Sequence, residues 1–484
     1  VSFFKNNEGF GLNLGMITLT PFGAAGEVTG SSYLIQTTQA RVLVDFGLFQ
    51  GDKEDDAKNI VPGALHRTTI DAIVLTHGHL DHCGRLPMLV REGYAGPIYC
   101  TSATRDLAEL VLRDCAHIME HDFERRQKRA FKKGGKTNRN DHPLFDDGDV
   151  TDTIKRVVEL DYDTQREIAP GITVKLYEAG HMLGSASIAL VVSDAGVQKT
   201  IVFSGDLGPL ELPYLRDPNP PDKADVVIME STYGDRDHRP LQETEDEFAE
   251  IIRQVVANKG KIFIPSFAIG RTQQMLFHLA ELFRKGVVPK IPVFVDSPMG
   301  ISATKIYTHH TDLFDEESAA LNASGAFAKD LSSVKFTGDA EESRAINDVE
   351  GPFVVIAGAG MCNAGRILHH LRHNLSDPNS HVVIVGYQAR GSLGRRLVDG
   401  VDEVSIMGDR IRIRAQIHTL GGFSAHAGQT ELMNWFGHIA SHASPQLFLT
   451  HGEDDARFTL AARIKEKFGV RAYLPVYSEI LQIA

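Results

Sequence analysis

Cysteine is scarce in this chain of 484 residues: there are four, Cys83, Cys100, Cys115 and Cys362, with no CxxC pair among them. That spacing offers neither a disulfide framework nor a cysteine zinc site, and predicts reduced thiols in a cytoplasmic protein. Long apolar runs are missing too. Nothing approaches the roughly 18 consecutive apolar residues of a membrane span. Residues 1–15 lack the apolar core of a signal peptide and read as an extension ahead of the first strand, MITLTPF, which opens at Met16. An excess of basic charge is also absent: 50 Lys+Arg face 63 Asp+Glu, a net −13. This excludes a surface that is basic all over, but leaves room for a local basic groove. At 42% hydrophobic and 23% charged residues the composition excludes disorder. The length predicts two or three domains of roughly 150 residues each.

What is abundant is a short apolar run followed by a polar or glycine-rich turn. VLVD (42–45), AIVLTH (72–77), TIVFSGD (200–206), VVIME (226–230), KIFIPSF (261–267), IPVFVDSP (291–298), PFVVIAGAG (352–360), HVVIVGY (381–387) and QLFLTH (446–451) all follow this rhythm. Such runs predict strands buried on both faces. Amphipathic helices are expected over 244–256, behind a Thr244/Glu247 capping box, and over 271–285. Together they predict a layered α/β protein. Pro209, Pro213, Pro218, Pro220 and Pro221 predict an exposed loop over 205–221. Residues 124–139 (ERRQKRAFKKGGKTNR) hold eight Lys/Arg against one Glu. They read as a solvated surface helix with a flexible end.

The sharpest chemical signal is HGHLDH at 77–82, directly after a strand. Its four donor side chains cannot comfortably converge on one ion, but they can serve two, His77 and His79 on the first and Asp81 and His82 on the second. Imidazole with carboxylate suits zinc and also accommodates manganese or iron. His181, Asp206 and His451 each follow an apolar run and are expected to complete the two sites, with Asp45 orienting ligands from behind. His309, His310, His369, His370 and His418 read as surface or core histidines.

HGHLDH, then AGHMLGSAS, then FSGDLG resembles the metallo-β-lactamase superfamily in order and spacing. The resemblance implies an αββα sandwich with a two-metal site at one edge. A second α/β unit follows MESTYGDRDH (229–238). With Glu230, His426 in GGFSAHAGQ and His451 in THGED, the chain is similar to the β-CASP nuclease branch, in particular its cleavage-and-polyadenylation members and their compact prokaryotic relatives. The domains implied are 16–238 and 416–484 for the sandwich and 239–415 for the insert. Histidine at 451 is similar to the RNA-cleaving members.

The resemblance further implies a ribonuclease with two Zn2+ per chain that hydrolyses single-stranded RNA to 5′-phosphate and 3′-hydroxyl ends. Asp206 and a hydroxide would lie between the ions, Asp81 would act as ligand and catalytic residue, and His426 would protonate the leaving oxygen while Glu230 holds it. A homodimer is compatible with these expectations, and no membrane partner is expected.

On local grounds Ser266, Ser297, Gly358 and Gly360 end strands of the insert, with Arg271 and Arg366 just beyond. Exposed backbone N–H groups at such turns suit phosphate. AGAGMCNAG at 357–365 misplaces the third glycine of a dinucleotide fingerprint, so NAD is not expected. Two other classes stand beside the nuclease: a small-ester or thioester metallo-hydrolase of the same fold, and a non-catalytic RNA-binding subunit.

Overall fold

The computed structural model describes residues 17–51, 53–66, 70–132, 142–326, 329, 334–388 and 391–483. The extension 1–15 and the greater part of the glycine-containing end of the basic run, 133–139, lie outside them. The first part of that run, from 124, continues the long helix Ser102–Lys132.

Two seven-stranded sheets form the centre of the first unit. One orders its strands Leu481–Ile483, Ile17–Pro21, Tyr33–Gln36, Arg41–Val44, Ala72–Val74, Ile98–Cys100 and Val157–Glu159. The other runs Ala472–Tyr473, Gln446–Leu449, Val226–Met229, Val197–Phe203, Ala186–Asp194, Ile172–Glu178 and Arg166–Ala169. Their inner faces meet in one core, where Ile35, Val42 and Val74 pack with Val174, Ile188, Leu190 and Phe203. The period-two alternation of a strand sends its other side chains outward. There Leu43, Ile73 and Ile98 meet helical Leu89, Leu107 and Leu112 on one side, and Val227, Leu447 and Leu449 meet Leu432, Phe436 and Leu460 on the other. The result is an αββα sandwich.

The inserted unit is built on a six-stranded, wholly parallel sheet ordered Val334–Phe336, Val293–Asp296, Phe353–Ala357, Lys261–Pro265, Ser380–Ile384 and Gln416–Thr419. Both faces are covered, one by Phe248, Ile252, Met275 and Leu279, the other by Ile367, Leu371 and Leu397. Burial on both faces is the physical reason these strands read as unbroken apolar runs.

Three expectations change. The last strand of the inserted sheet is Gln416–Thr419, so this unit extends past the boundary at 415; the strand is short, with exposed ends and a half-buried middle, which hid its parallel pairing. Helix Leu241–Asn258 starts after Pro240, so Thr244 lies inside it and donates to the Pro240 carbonyl (3.1 Å) instead of capping, while Glu247 pairs with Arg239. The proline-rich segment is irregular but not exposed throughout: Leu212, Tyr214 and Leu215 are buried with Phe277, Tyr307 and Phe314 of the insert. Prolines forbid regular structure there without forbidding burial, and the loop packs between the two units.

Candidate metal centre

The site forms where loops after the sandwich strands face the C-terminal ends of the parallel strands. Strand Ala72–Val74 delivers His77 and His79, and the short helix Leu80–Cys83 begins directly behind His79. His181 lies beyond Ile172–Glu178, Asp206 beyond Val197–Phe203, and His451 beyond Gln446–Leu449. Two of the backbone positions are left-handed without being glycine: Asp45 at φ 57° and His451 at φ 48°. Each costs roughly 1–2 kcal/mol, a strain characteristic of residues held for function.

Two clusters of donor atoms converge. In one, His77 Nε2 is 3.1 Å from His79 Nδ1, and His181 Nε2 is 3.2 Å from the same atom. In the other, His82 Nε2 is 3.3 Å from His451 Nε2, which is 3.6 Å from Asp81 Oδ2. Asp206 stands between them. Its Oδ2 lies 3.6 Å from His77 Nε2 and 3.7 Å from His181 Nε2, while its Oδ1 lies 3.3 Å from His82 Nε2. Donors about 2.0–2.1 Å from a tetrahedral ion are separated from one another by roughly 3.4 Å, so both clusters have the spacing of metal polyhedra. Asp206 Oδ1 is fully buried and, among the described residues, makes no well-directed hydrogen bond, although His82 Nε2 lies near it. A buried carboxylate oxygen without a donor is costly unless a cation satisfies it. The donors therefore fit metal ions.

Charge and burial act together here. Burial drives the pKa of His77 and His181 well below the usual histidine range, keeping lone pairs available. For His82 burial works the same way, but Asp206 and Asp45 outweigh it and raise its pKa well above 6.5. Asp45 receives Thr76 N and Thr76 Oγ1, each at 2.8 Å, and holds His82 Nδ1 at 2.8 Å, which turns Nε2 into the site. The Ala425 carbonyl does the same for His181 through Nδ1 at 2.9 Å. A backbone carbonyl carries no sequence signal, so this support was not legible. Thr232, which lies 3.1 Å from His451 Nδ1, could have been suspected from its place two residues after Glu230.

His426 sits at the rim, with Nδ1 3.3 Å from Glu230 Oε1 and Nε2 3.9 Å from Asp206 Oδ2. Burial disfavours its charged form, but Glu230, Asp206 and Asp81 outweigh it and raise its pKa to about 9. Glu230 is itself pinned by Leu207 N (2.7 Å) and Thr232 N (3.2 Å).

Another support went unread in sequence. Arg85 is wholly buried, its guanidinium carbon 4.2 Å from the Phe46 ring centre and 4.7 Å from that of Phe49, and it donates to the carbonyls of Phe22, Gly30, Gly47 and Ile60. These loops reach the site through Ser31 N, which donates to the Asp81 carbonyl at 2.9 Å.

The strand-end residues of the insert divide. Ser266, Ser297 and Gly358 come together: a Cβ added at Gly358 would lie 3.8 Å from Ser266 O and 3.9 Å from Ser297 Oγ. Gly360 packs against Phe267. The two arginines are otherwise engaged. Arg366 donates to Asp296 (2.7 Å) and to the carbonyls of Thr337 and Gly338, and Arg271 is buried against Gln274. Sequence adjacency to a turn does not fix where so long a side chain points. His370 also joins Asp296 (2.7 Å) and His310 joins Asp106 (2.8 Å), away from the two donor clusters.

Family models match in the order of the fold: the metallo-β-lactamase superfamily over residues 25–257, the Beta-Casp domain over 272–397, and the Zn-dependent metallo-hydrolase RNA specificity domain over 410–475. A ribonuclease of Thermus thermophilus is 40% identical over 442 residues, covering 91% of this chain and 94% of that one. A transcription termination factor of Pyrococcus horikoshii, FttA, is 32% identical over 477 residues, covering 95% of this chain and 70% of its own. Among solved structures, a protein of unknown function from Enterococcus faecalis shares the fold at a TM-score of 0.54 and 12% identity, covering 96% of this chain and 100% of that one. With a sandwich of two sheets, a parallel-sheet insert and donor clusters at their junction, the chain belongs to the β-CASP family of the metallo-β-lactamase superfamily.

Proposed function

We propose that this protein is a two-zinc ribonuclease that hydrolyses phosphodiester bonds of single-stranded RNA, leaving 5′-phosphate and 3′-hydroxyl ends. The observation that carries this reading is Asp206, whose two oxygens face separate donor clusters beside a histidine held on a buried glutamate. Similarity to the Thermus thermophilus ribonuclease across nearly its whole length supports RNA as the substrate.

His77, His79 and His181 would hold one ion, Asp81, His82 and His451 the other, and Asp206 both. Zinc suits this nitrogen-rich set, and manganese is the alternative. Bound there, the ions would supply Lewis acidity and a water of lowered pKa. The remaining work belongs to side chains. Asp45 and the Ala425 carbonyl keep the His82 and His181 rings turned inward. His426, protonated through Glu230, gives its proton to the departing ribose oxygen, a poor leaving group without it. The turns at Ser266, Ser297, Gly358 and Gly360 receive the phosphate backbone, and Arg366, bound to Asp296 next to Ser297, adds positive charge beside them with Arg271.

The esterase alternative gains no such use from an acid positioned for an alkoxide, and a non-catalytic subunit has no need of two full donor sets. The test is end-labelled RNA incubated with and without chelator, with the product ends identified by phosphatase and ligase. Chelator-sensitive cleavage to 5′-phosphate ends is expected. Hydrolysis of a chromogenic thioester with RNA left intact would replace this reading.

A further inference from the structure

Phe267 is an aromatic side chain that the core does not use. It is 42% exposed, while Phe263, four residues earlier on the same segment, is fully buried. A single exposed ring is ordinary; its surroundings are what distinguish this one. Strand Lys261–Pro265 lies between Phe353–Ala357 and Ser380–Ile384 in the parallel sheet, and Phe267 lies just past its C-terminal end. The turns after both neighbours present glycine to it. A Cβ added at Gly360 would lie 2.8 Å from the ring, and one at Gly386 would lie 3.7 Å away. The ring therefore rests against bare backbone and keeps open surface. The C-terminal edge of a parallel sheet is where such folds bind ligands.

That edge faces the donor clusters. The same turn runs on to Gly270, whose Cβ position is 4.0 Å from Met182, the residue after His181. Tyr387, next to Gly386, donates to Glu453 of the sandwich (2.8 Å), and its ring is 6.1 Å from that of Tyr233, which is 6.3 Å from that of His426. Directly preceding Phe267 is Ser266, which is buried and donates its hydroxyl to the Phe267 carbonyl (3.1 Å), and Ser297 and Gly358 lie beside it. A half-exposed aromatic ring seated on glycine backbone at this edge complements the flat base of a nucleotide.

We propose that Phe267 is a substrate-positioning residue that stacks one base of the RNA in the cleft while the adjoining turns hold its phosphate; this rests on the ribonuclease reading above. Stacking accepts any base, so the site positions the strand without reading sequence. The order of the sheet fixes the geometry: a central strand carries the ring and both neighbours carry glycine.

The test is steady-state cleavage of a fluorogenic single-stranded RNA by wild type, Phe267→Leu and Phe267→Trp. Leucine keeps apolar bulk without the π-face. It should raise KM roughly 5- to 150-fold, the range of one lost base stack, with kcat little changed, and tryptophan should restore KM. An abasic site moved along the RNA should raise KM at one position in wild type and have little further effect there in Phe267→Leu. Equal KM for leucine and wild type, or abasic penalties that add independently of residue 267, would overturn the proposal. Wild-type protein that leaves RNA uncut would instead overturn the ribonuclease reading itself, and this proposal with it.

Discussion

Glu230→Gln isolates the electrostatic part of the mechanism. It keeps the shape behind His426 Nδ1, now at 3.3 Å from a carboxylate oxygen, and removes the charge. That charge leads the groups that overcome burial and lift the His426 pKa from 6.5 to about 9. Without it the imidazole returns toward its ordinary value or below, because burial remains. At pH about 8 a group with a pKa near 9 is roughly 90% protonated, and one near 6.5 roughly 3%, so the acid form falls about 30-fold. Bound dications lower both values and leave the direction of the difference unchanged.

The assay is kcat on RNA between about pH 6 and 10, with metal content measured on the same samples. In wild type the rate falls at high pH as His426 loses its proton, and in Glu230→Gln that limb should move to lower pH. His426→Ala should lose the limb and about 10²–10⁴-fold in rate while keeping its metal. An alkaline limb that stays in place in Glu230→Gln would refute the reasoning. Metal lost from His426→Ala would make this residue a ligand, which its position with Asp206 and Glu230 also permits geometrically.

Asp206→Ala removes a carboxylate that faces both clusters, so metal content and RNA cleavage should fall together; full occupancy by elemental analysis with normal turnover would refute the bridging role. Asp296→Asn tests the insert. Asp296 is fully buried and accepts from Arg366, His370, Thr337 and Ser343, which outweigh burial and hold its pKa well below the usual carboxylate range. A depressed folded pKa adds stability above the unfolded value near 4, and this is lost as pH falls toward the folded one. The asparagine variant should therefore be less stable by about 3–5 kcal/mol at neutral pH, with a gap in denaturation midpoint that narrows below about pH 4. A gap independent of pH would count against the charge as its source.

Much of this protein was legible along the chain because its chemistry is local. HGHLDH puts four donors at one strand end, and nothing else in the composition explains them. Strands buried on both faces announce themselves as unbroken apolar runs, so the layered architecture and the insertion could be read in order. Motif resemblance added Glu230 and His426, residues that spacing alone would have left as an ordinary glutamate and a rim histidine.

Contacts between distant parts of the chain settled the remainder. Side chains such as Arg366 and Arg271 reach several ångströms from their backbone, and which carbonyl or carboxylate they find depends on elements far away in sequence. Backbone groups, like the Ala425 carbonyl behind His181, leave no mark in residue type. The strand Gln416–Thr419 is neither apolar nor long, so its membership in the inserted sheet is set by the partner it pairs with. Leu212, Tyr214 and Leu215 show the same rule from the other side: prolines predicted irregular backbone correctly, but whether that backbone faces water is settled by what the second unit brings against it. Sequence fixes the donors and the local period; the closing of loops and domains over long separations fixes which atoms meet, because that contact energy belongs to pairs and not to any one residue.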